Sequence, residues 1–564
     1  MQPLVSKRYY FILALFGAGF IVIGCRLICL GYYKSDFSNF LETSRHRLRT
    51  LPASRGKIID CKGRCLAMQQ KVYDIGVDLT QINITDRTFL PRLAHFLEKP
   101  LNALEALWVK SDCHWKPLKN DVSEFNYRKI KALKIRGVYG NEKQQRNYLH
   151  TPSLSYVVGF INKEGTAVCG VEKIMNFYLS GQNGFLSYEI DGKNQELAQH
   201  RKCKIDPING YTVELTIDDQ VQRIAEKVIV AAAEKYTPQS IQALITRPNT
   251  GEILALVNWP FFDSNRYNQY PLDLLNNRAV TNIYEPGSVF KAITISAALD
   301  CNAVKPNDTF DCRKNKSAYR GKNLPLPQDW KPFNQSMNIA EILSNSSNRG
   351  TVQVALQMGE EKLYKYVRNF GFGESTLSGF QGETKGILHP IKHWDGLTIT
   401  RLPIGHSLAC SLFQMHYAMG AIANGGTLFY PQWIHRIYNT KGEIIRSFLP
   451  HPRRQVIKNT TSQTMRAMLL LSEHSKAYIP NYNVTGKTGT SQKIIQGRYS
   501  HNQHIASFSG FFPNQNPQIE ITITVDSPKT QGTAYGSVVA APIFKEIAED
   551  LITYMGIQPE PKLL

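Results

Sequence analysis

No uninterrupted block of lysines and arginines occurs in this chain, no cysteine–histidine spacing of the zinc-finger kind, and no glycine–aromatic stretch of the RNA-binding kind. A nucleic-acid partner is therefore disfavoured despite a formal net charge of +21. The excess charge reads instead as a solvated basic surface or as attraction to anionic lipid or acidic polymer. The ten cysteines show no convincing metal-ligand spacing, so no metal is expected. Internal repeats and low-complexity tracts are missing too, which argues against a solenoid and against a long disordered tail. What remains is an ordinary globular mixture, 42% hydrophobic and 20% charged, in 564 residues. That is material for two or three domains.

One apolar run stands out. Lys7 and Arg8 precede Tyr9 to Cys25; Arg26 comes next, then an apolar tail from Leu27 to Tyr33. An uncleaved signal-anchor helix over 9–33 fits a hydrocarbon core of about 30 Å, which needs about 20 residues. No A-x-A site follows the run, against a cleaved signal peptide. Val22-Ile23-Gly24-Cys25 also matches a lipoprotein processing site, with lipid on Cys25. All three readings export the remainder of the chain. With 1–8 as a cytoplasmic tail, the positive-inside rule places residues beyond 34 outside. Among the eight remaining cysteines, Cys61 with Cys65 and Cys301 with Cys312 are near enough in sequence to pair, but sequence alone leaves the connectivity open.

A polar, basic stalk over 34 to about 54 leaves the anchor. Arg55-Gly56-Lys57-Ile58-Ile59-Asp60 opens a region of short strands and turns, in which Arg55 and Asp60 read as a charge pair. Leu- and Lys-rich helical stretches fill 85–135, and glycines recur at 159, 165, 170 and 181. Pro207 and Gly210 set a boundary near 208. Beyond it, Thr212–Ile217 reads as a strand, and Asp218 caps a helix to about Tyr236. Two hairpins are expected. One joins Ile241–Thr246 to Glu252–Asn258, the other Ile505–Phe512 to Ile519–Val525. The stretch 338–424 reads as mostly helical, and a final amphipathic helix starts near Pro542. The whole is an α+β domain, an antiparallel sheet flanked by helices with a helical lobe inserted.

The chemistry concentrates around Tyr284-Glu285-Pro286-Gly287-Ser288-Val289-Phe290-Lys291. Pro286 and Gly287 break the preceding structure, and the apolar run after them reads as a helix. Ser288 and Lys291, three apart, share a helix face. A serine needs a base to become a nucleophile, and a desolvated lysine can be neutral enough to serve. An S-x-x-K stretch alone is weak; Ser54 to Lys57 is another, with no role assigned. Two further motifs come downstream in order: Ser346-Ser347-Asn348 and Lys487-Thr488-Gly489-Thr490. S-x-N is also common, whereas K-[ST]-G occurs once. S-x-x-K, S-x-N and K-T-G in that order form the signature of penicillin-binding proteins and class A β-lactamases.

Over nearly its whole length the chain resembles a class B penicillin-binding protein: a membrane anchor, an elongated β-rich pedestal (34–208) and a transpeptidase domain (209–564). Arg55 to Asp60, Arg146-x-Tyr148 (with Leu149 where the family usually has proline) and Gly170-Val171-Glu172-Lys173 resemble pedestal motifs. Leu215 to Asp218, Gly251 to Ala255, Tyr284 to Ser288, Asp526-x-Pro528 and Ala541-Pro542-x-Phe544 resemble the catalytic domain. Gly405-His406-Ser407 is a looser match to a Gly-rich stretch and receives no role. The resemblance implies acyl transfer on D-Ala-D-Ala stem peptides, with Ser288 as nucleophile and Lys291 as its base. Ser346 would relay a proton, Asn348 would hold Lys291 and the substrate amide, and Lys487 would supply positive charge. Thr488, Gly489 and Thr490 would form the substrate-binding strand, with backbone N–H groups of Ser288 and Thr490 as the oxyanion hole.

β-Lactams are then expected as covalent inhibitors, and the implied reaction needs no cofactor. Septal cell-wall synthesis is the expected role and cell elongation the alternative. A membrane glycan polymerase and other division proteins are implied as partners. No glycosyltransferase-like stretch lies in 34–208, so cross-linking without polymerisation is expected. A β-lactamase or β-lactam sensor is disfavoured, because no E-x-x-L-N stretch separates the second and third motifs. A non-catalytic scaffold is disfavoured by the intact trio.

Overall fold

The computed structural model describes residues 3–32, 45–108, 114–191, 196–197, 199, 201 and 203–561. The expected stalk lies outside the described residues at 34–44. Two compact units form. One combines Met1–Ser54 with Gly181–Gly210, the other Arg55–Ser180 with Tyr211–Leu564.

In the first unit helix α1 (Pro3–Tyr32) contains the segment Lys7–Tyr32, which is long and apolar enough to cross a membrane and is not buried against protein. Its 26 residues span roughly 39 Å at 1.5 Å each, more than the hydrocarbon thickness. The same unit holds a small antiparallel sheet. His46–Leu51 pairs with Gly184–Ile190, which also pairs with Glu196–Leu197 and Cys203–Ile205.

In the second unit a seven-stranded sheet draws on both ends of the sequence. Ile58–Ile59 runs parallel to Thr212–Leu215 and antiparallel to Cys65–Val77. Lys116–Ser123 and Val138–Tyr148 pair with that long strand, and Ile434–Tyr438 with Ile444–Ser447 extends the far edge. The three pedestal motifs converge beside it on one carboxylate. Glu172 is fully buried and accepts from Arg55 Nε at 2.6 Å and from Arg146 Nε at 2.7 Å. Arg146 also reaches the carbonyl of Gly56, and Arg55 that of Glu172. The expected Arg55–Asp60 pair does not form. Arg55 turns inward to Glu172, while the tight turn at Lys62–Gly63 folds Arg64 back onto Asp60, at 2.6 Å. Arg64 also bonds Asp218, the residue that caps the next helix. The nine described cysteines are all free, so neither candidate pair is bonded.

Helix α2 (Asp219–Tyr236) carries the predicted apolar face, with Val221, Ala225, Val228, Ile229 and Ala232 buried. It precedes β1 (Ser240–Arg247) and β2 (Glu252–Trp259), the first expected hairpin. Helices α3 (Lys291–Asp300), α4 (Asn348–Met358) and α5 (Leu412–Ala423) belong to the inserted lobe. The expected helicity of 338–424 is interrupted over 370–397, where turns, the two-residue strand Ile387–Leu388 and one 3-10 turn, Ile391–His393, carry the chain. Strands β3 (Thr485–Ile495), β4 (Arg498–Phe512) and β5 (Ile519–Asp526) complete a five-stranded antiparallel sheet ordered β2-β1-β5-β4-β3. Helix α6 (Ala540–Met555) closes the chain and packs with α2 on one face, around Ile241, Ala243, Ile521, Ile523 and Phe544. Helix α5 and the turn Gly287–Phe290 before α3 lie against the other face, and α3 and α5 are buried along every residue. The K-T-G strand β3 is therefore at the end of the sheet, with one edge unpaired over most of its length.

Removing one partner from a buried ionic cluster leaves uncompensated charge, at a cost of about 3–5 kcal/mol. Glu172→Gln, which strands two buried guanidinium groups, is expected to lose stability of that order. Denaturant unfolding of the full chain in detergent would read it; an unchanged midpoint would contradict a structural role for the cluster.

Candidate active site

The turn before α3 is a 3-10 segment, Gly287–Phe290, so Ser288 lies on the first turn and Lys291 opens the α-helix. Gly287 sits at φ +57°. A Cβ there would lie 2.7 Å from the carbonyl oxygen of Thr490, and one on Gly489 would lie 2.7 Å from that of Pro286. The two backbones touch: the nucleophile turn and the K-T-G strand pack main chain to main chain. That contact needs glycine on both sides. Behind them Gly287 N donates to the carbonyl of Gly405 at 3.1 Å.

Ser346-Ser347-Asn348 is the joint between two helices. The helix Ile339–Ser344 ends with Ser346 N donating to Leu343 O and Ser347 N to Ile342 O. Ser346 adopts φ +55°, the left-handed conformation that ends many helices. Ser347 then caps α4 by accepting from Gly350 N at 3.0 Å. The joint leaves the Ser346 carbonyl and hydroxyl pointing at the lysines. Lys291 Nζ donates to Ser346 O at 2.6 Å and lies 3.2 Å from Ser346 Oγ. Lys487 Nζ lies 3.1 Å from the same Oγ. One hydroxyl thus connects the two amines.

No carboxylate pairs with either amine among the described residues. Lys291 is 0% exposed and Lys487 7%. Burial, and then the nearby Lys487 charge, pushes Lys291 well below the ordinary lysine range, with Asp329 opposing weakly. Burial alone brings Lys487 down to about 8. Lys291 is thus the amine held neutral, and Lys487 the one that keeps a proton near neutrality.

Ser288 is half-buried, and its hydroxyl has no hydrogen-bond partner among the described residues; the expected serine–lysine contact is possible by placement but not made. Thr490 Oγ1 accepts from Gly536 N at 3.0 Å, which leaves its O–H free to donate. Thr488 and Gly489 lie beside it on β3. Asn348 departs from expectation. Its side chain donates to Gln328 O at 2.5 Å, not to Lys291, whose polar neighbour is Ser346. The reason is its position as first residue of α4, where the loop at 328–329 meets it.

Two groups escape a motif reading. Asp329 accepts from the backbone N–H of Asn348, from Arg349 N at 3.2 Å and from Ser347 Oγ at 3.2 Å. Its carboxylate sits on the positive end of α4 and fixes the serine joint. It lies in a Pro-rich loop with no characteristic spacing to the motifs. Glu285, 8% exposed, accepts from His406 Nδ1 at 2.8 Å, Ser407 N at 3.0 Å and Tyr499 OH at 3.1 Å. It ties the nucleophile turn to the Gly405 loop and to β4, so the Gly405-His406-Ser407 stretch forms the wall behind the nucleophile.

A serine one turn before a buried lysine held below its ordinary range, a second serine hydroxyl between two lysine amines, and an open strand edge are the parts a serine acyl-transferase site needs. Comparison with known proteins agrees. The family model for the penicillin binding protein transpeptidase domain matches residues 241–549, and that for the penicillin-binding protein dimerisation domain matches 50–215. The chain is 32% identical over 572 residues to stage V sporulation protein D of Bacillus subtilis, covering 98% of this chain and 87% of that one. It is 28% identical over 578 residues to the probable peptidoglycan D,D-transpeptidase PenA of Neisseria meningitidis, covering 100% and 95%. The crystal structure of a peptidoglycan synthetase from Bifidobacterium adolescentis superposes with a TM-score of 0.71 at 25% identity, covering 92% and 98%. The chain belongs to the penicillin-binding protein family, in its class B form.

Gly489→Ala would drive a methyl into the Pro286 carbonyl and separate the nucleophile turn from β3. The expected outcome is a folded protein whose acylation by a penicillin is slower by roughly 100-fold, since an ångström of misplacement costs that much. Asp329→Ala should slow acylation about tenfold and lower stability by about 1–2 kcal/mol through the lost cap, with Asp329→Asn intermediate. Stopped-flow acylation and thermal unfolding would measure both; an Asp329→Ala protein with wild-type kinetics would remove that residue from the site.

Proposed function

We propose that this chain is a peptidoglycan D,D-transpeptidase that cross-links stem peptides through an acyl-enzyme on Ser288. The observation that carries the reading is the Ser346 hydroxyl shared between the Lys291 and Lys487 amines. The neutral Lys291 takes the Ser288 proton as Oγ attacks the carbonyl carbon of the penultimate D-Ala. The N–H groups of Ser288 and Thr490 hold the oxyanion, an arrangement typically worth a few kcal/mol. The proton passes through Ser346 to the terminal D-Ala nitrogen as the C–N bond breaks. Lys487, charged, and the hydroxyls of Thr488 and Thr490 hold the donor's carboxylate, and the donor lies along the open edge of β3 as an added strand. The amine of a second stem peptide then displaces Ser288, returns a proton through the same relay and forms the cross-link. Asn348 is left to the substrate amide.

Family membership and the transpeptidase names of the relatives support the reaction. Relatives include a probable peptidoglycan D,D-transpeptidase FtsI of Caulobacter vibrioides, which supports a septal role. The apolar helix α1, behind Lys7 and Arg8, supports a single-pass anchor with the catalytic domain outside the cytoplasmic membrane. We divide the chain into tail (1–8), anchor (9–33), pedestal (34–208) and transpeptidase (209–564), and assign the pedestal and anchor to a membrane glycan polymerase.

Incubation with a fluorescent penicillin should give a persistent one-to-one adduct, lost in Ser288→Ala. Rapid turnover of the penicillin would favour a β-lactamase, and no adduct would end the catalytic reading. Acylation should also follow a bell in pH. The acid limb is set by protonation of Lys291, displaced well below the usual lysine range. The alkaline limb falls as Lys487 loses its proton near about 8, because the substrate carboxylate then loses its partner. Acylation still rising above about pH 9 would contradict that role for Lys487.

A further inference from the structure

Away from the serine site, the inserted lobe gathers three arginines on a single carboxylate. Arg368 ends the helix Glu360–Asn369, Glu374 lies in the loop after it, and Arg453 and Arg454 lie on the strand Pro452–Gln455. Arg368 Nη2 is 3.0 Å from Glu374 Oε1, Arg453 Nη2 is 2.6 Å from Oε2, and Arg454 Nη2 bonds the same Oε2. Among the described residues no other carboxylate forms an ion pair with any of the three, so the cluster carries two positive charges in excess.

The cluster is built as well as charged. The Arg453 side chain is 15% exposed, its Nη1 donates to Ser375 O at 3.1 Å, and its guanidinium lies 5.4 Å from the Tyr430 ring centre. Arg454 keeps a buried Nε–H without a partner among the described residues. Gly371 and Gly373, both at positive φ, leave the loop bare beside the guanidinium groups. Arg368 and Arg454 stay 42% and 30% exposed, open to a ligand. Guanidinium groups gathered on the same carboxylate repel one another, so one monovalent carboxylate leaves the group short of an anion. Planar guanidinium forks match phosphate oxygens in pairs, and a phosphate dianion balances the excess of two.

We propose that Arg368, Arg453 and Arg454 form a binding site for a phosphate-ester oxyanion, with Glu374 as an internal competitor for the same guanidinium groups. Glu374 organises the arginines in the free protein and yields part of its bonding when the phosphate arrives.

The test is calorimetric titration of the full chain in neutral detergent with inorganic pyrophosphate at low salt. Arg454→Gln, with unchanged circular dichroism, should weaken binding about tenfold or more, the worth of one charge-assisted pair. Glu374→Gln should tighten it, because the competing charge is gone. A second arm dopes the micelles with phosphatidic acid, a lipid phosphomonoester, and reads thermal unfolding. Stabilisation lost in Arg454→Gln points to a lipid headgroup as the source, whereas pyrophosphate binding without it points to a soluble or polymeric phosphate ester. Affinity for both probes that is the same in wild type, Arg454→Gln and Glu374→Gln would overturn the proposal and leave the cluster as a staple between the loop and the strand.

Discussion

Two lysine amines buried on either side of one serine hydroxyl set the requirements that the rest of the catalytic region meets. Removing an ammonium group from water without a counterion is costly, and the protein answers by letting one amine lose its proton. Lys291, the deeper and with the other amine as neighbour, is pushed well below the ordinary lysine range, and Lys487 only to about 8, which suits the proposed base and the proposed carboxylate partner. A carboxylate brought against either amine would restore the ordinary lysine range and remove the base. Asp329 stands back from both, on the Ser347 hydroxyl and the N-terminus of α4. There it holds the serine joint, and its charge opposes the lowering of Lys291 less than burial and Lys487 drive it.

Keeping three motifs in register over two hundred residues of sequence falls to the backbone. The nucleophile turn and β3 meet main chain to main chain at Gly287 and Gly489, with the Val289 side chain also against Gly489, and Gly405 closes the rear. Side chains adapt by changing rotamer, whereas main-chain contacts hold their spacing. The Glu285 carboxylate adds a tie to the Gly405 loop and to Tyr499. The same device appears at Glu172, where three distant motifs share one buried carboxylate. In both places the residues are ordinary in sequence and acquire meaning from convergence.

Much of this is legible in the sequence. Helix α2 has a cap and an apolar face repeating at helical spacing, and both hairpins are apolar runs separated by Gly- and Pro-containing turns. Such signals are local, and the elements they mark lie within a few residues of where the pattern puts them. Sequence reasoning fails where a side chain has two possible partners. Arg55 looks paired to Asp60 five residues on, yet a fully buried carboxylate more than a hundred residues away holds it. Asn348 looks like a partner for Lys291, yet as the first residue of α4 it faces the loop at 328. Asp329 carries no spacing signal at all, and Glu285, although it stands in the stretch Tyr284 to Ser288, shows nothing there of its partners His406, Ser407 and Tyr499.

The sequence by itself determined the chemistry available: a serine three residues before a lysine, a second serine and a second lysine in a fixed order, on an anchored α+β chain. Residue type and local periodicity suffice for that, because a nucleophile, a base and a helix face are properties of short stretches. Only the tertiary structure decided which lysine is neutral, which hydroxyl joins the two, and where each arginine finds its carboxylate. Those outcomes depend on burial and on distances of about 3 Å between residues far apart in the chain, and desolvation and hydrogen bonding exist only once the chain has closed around them.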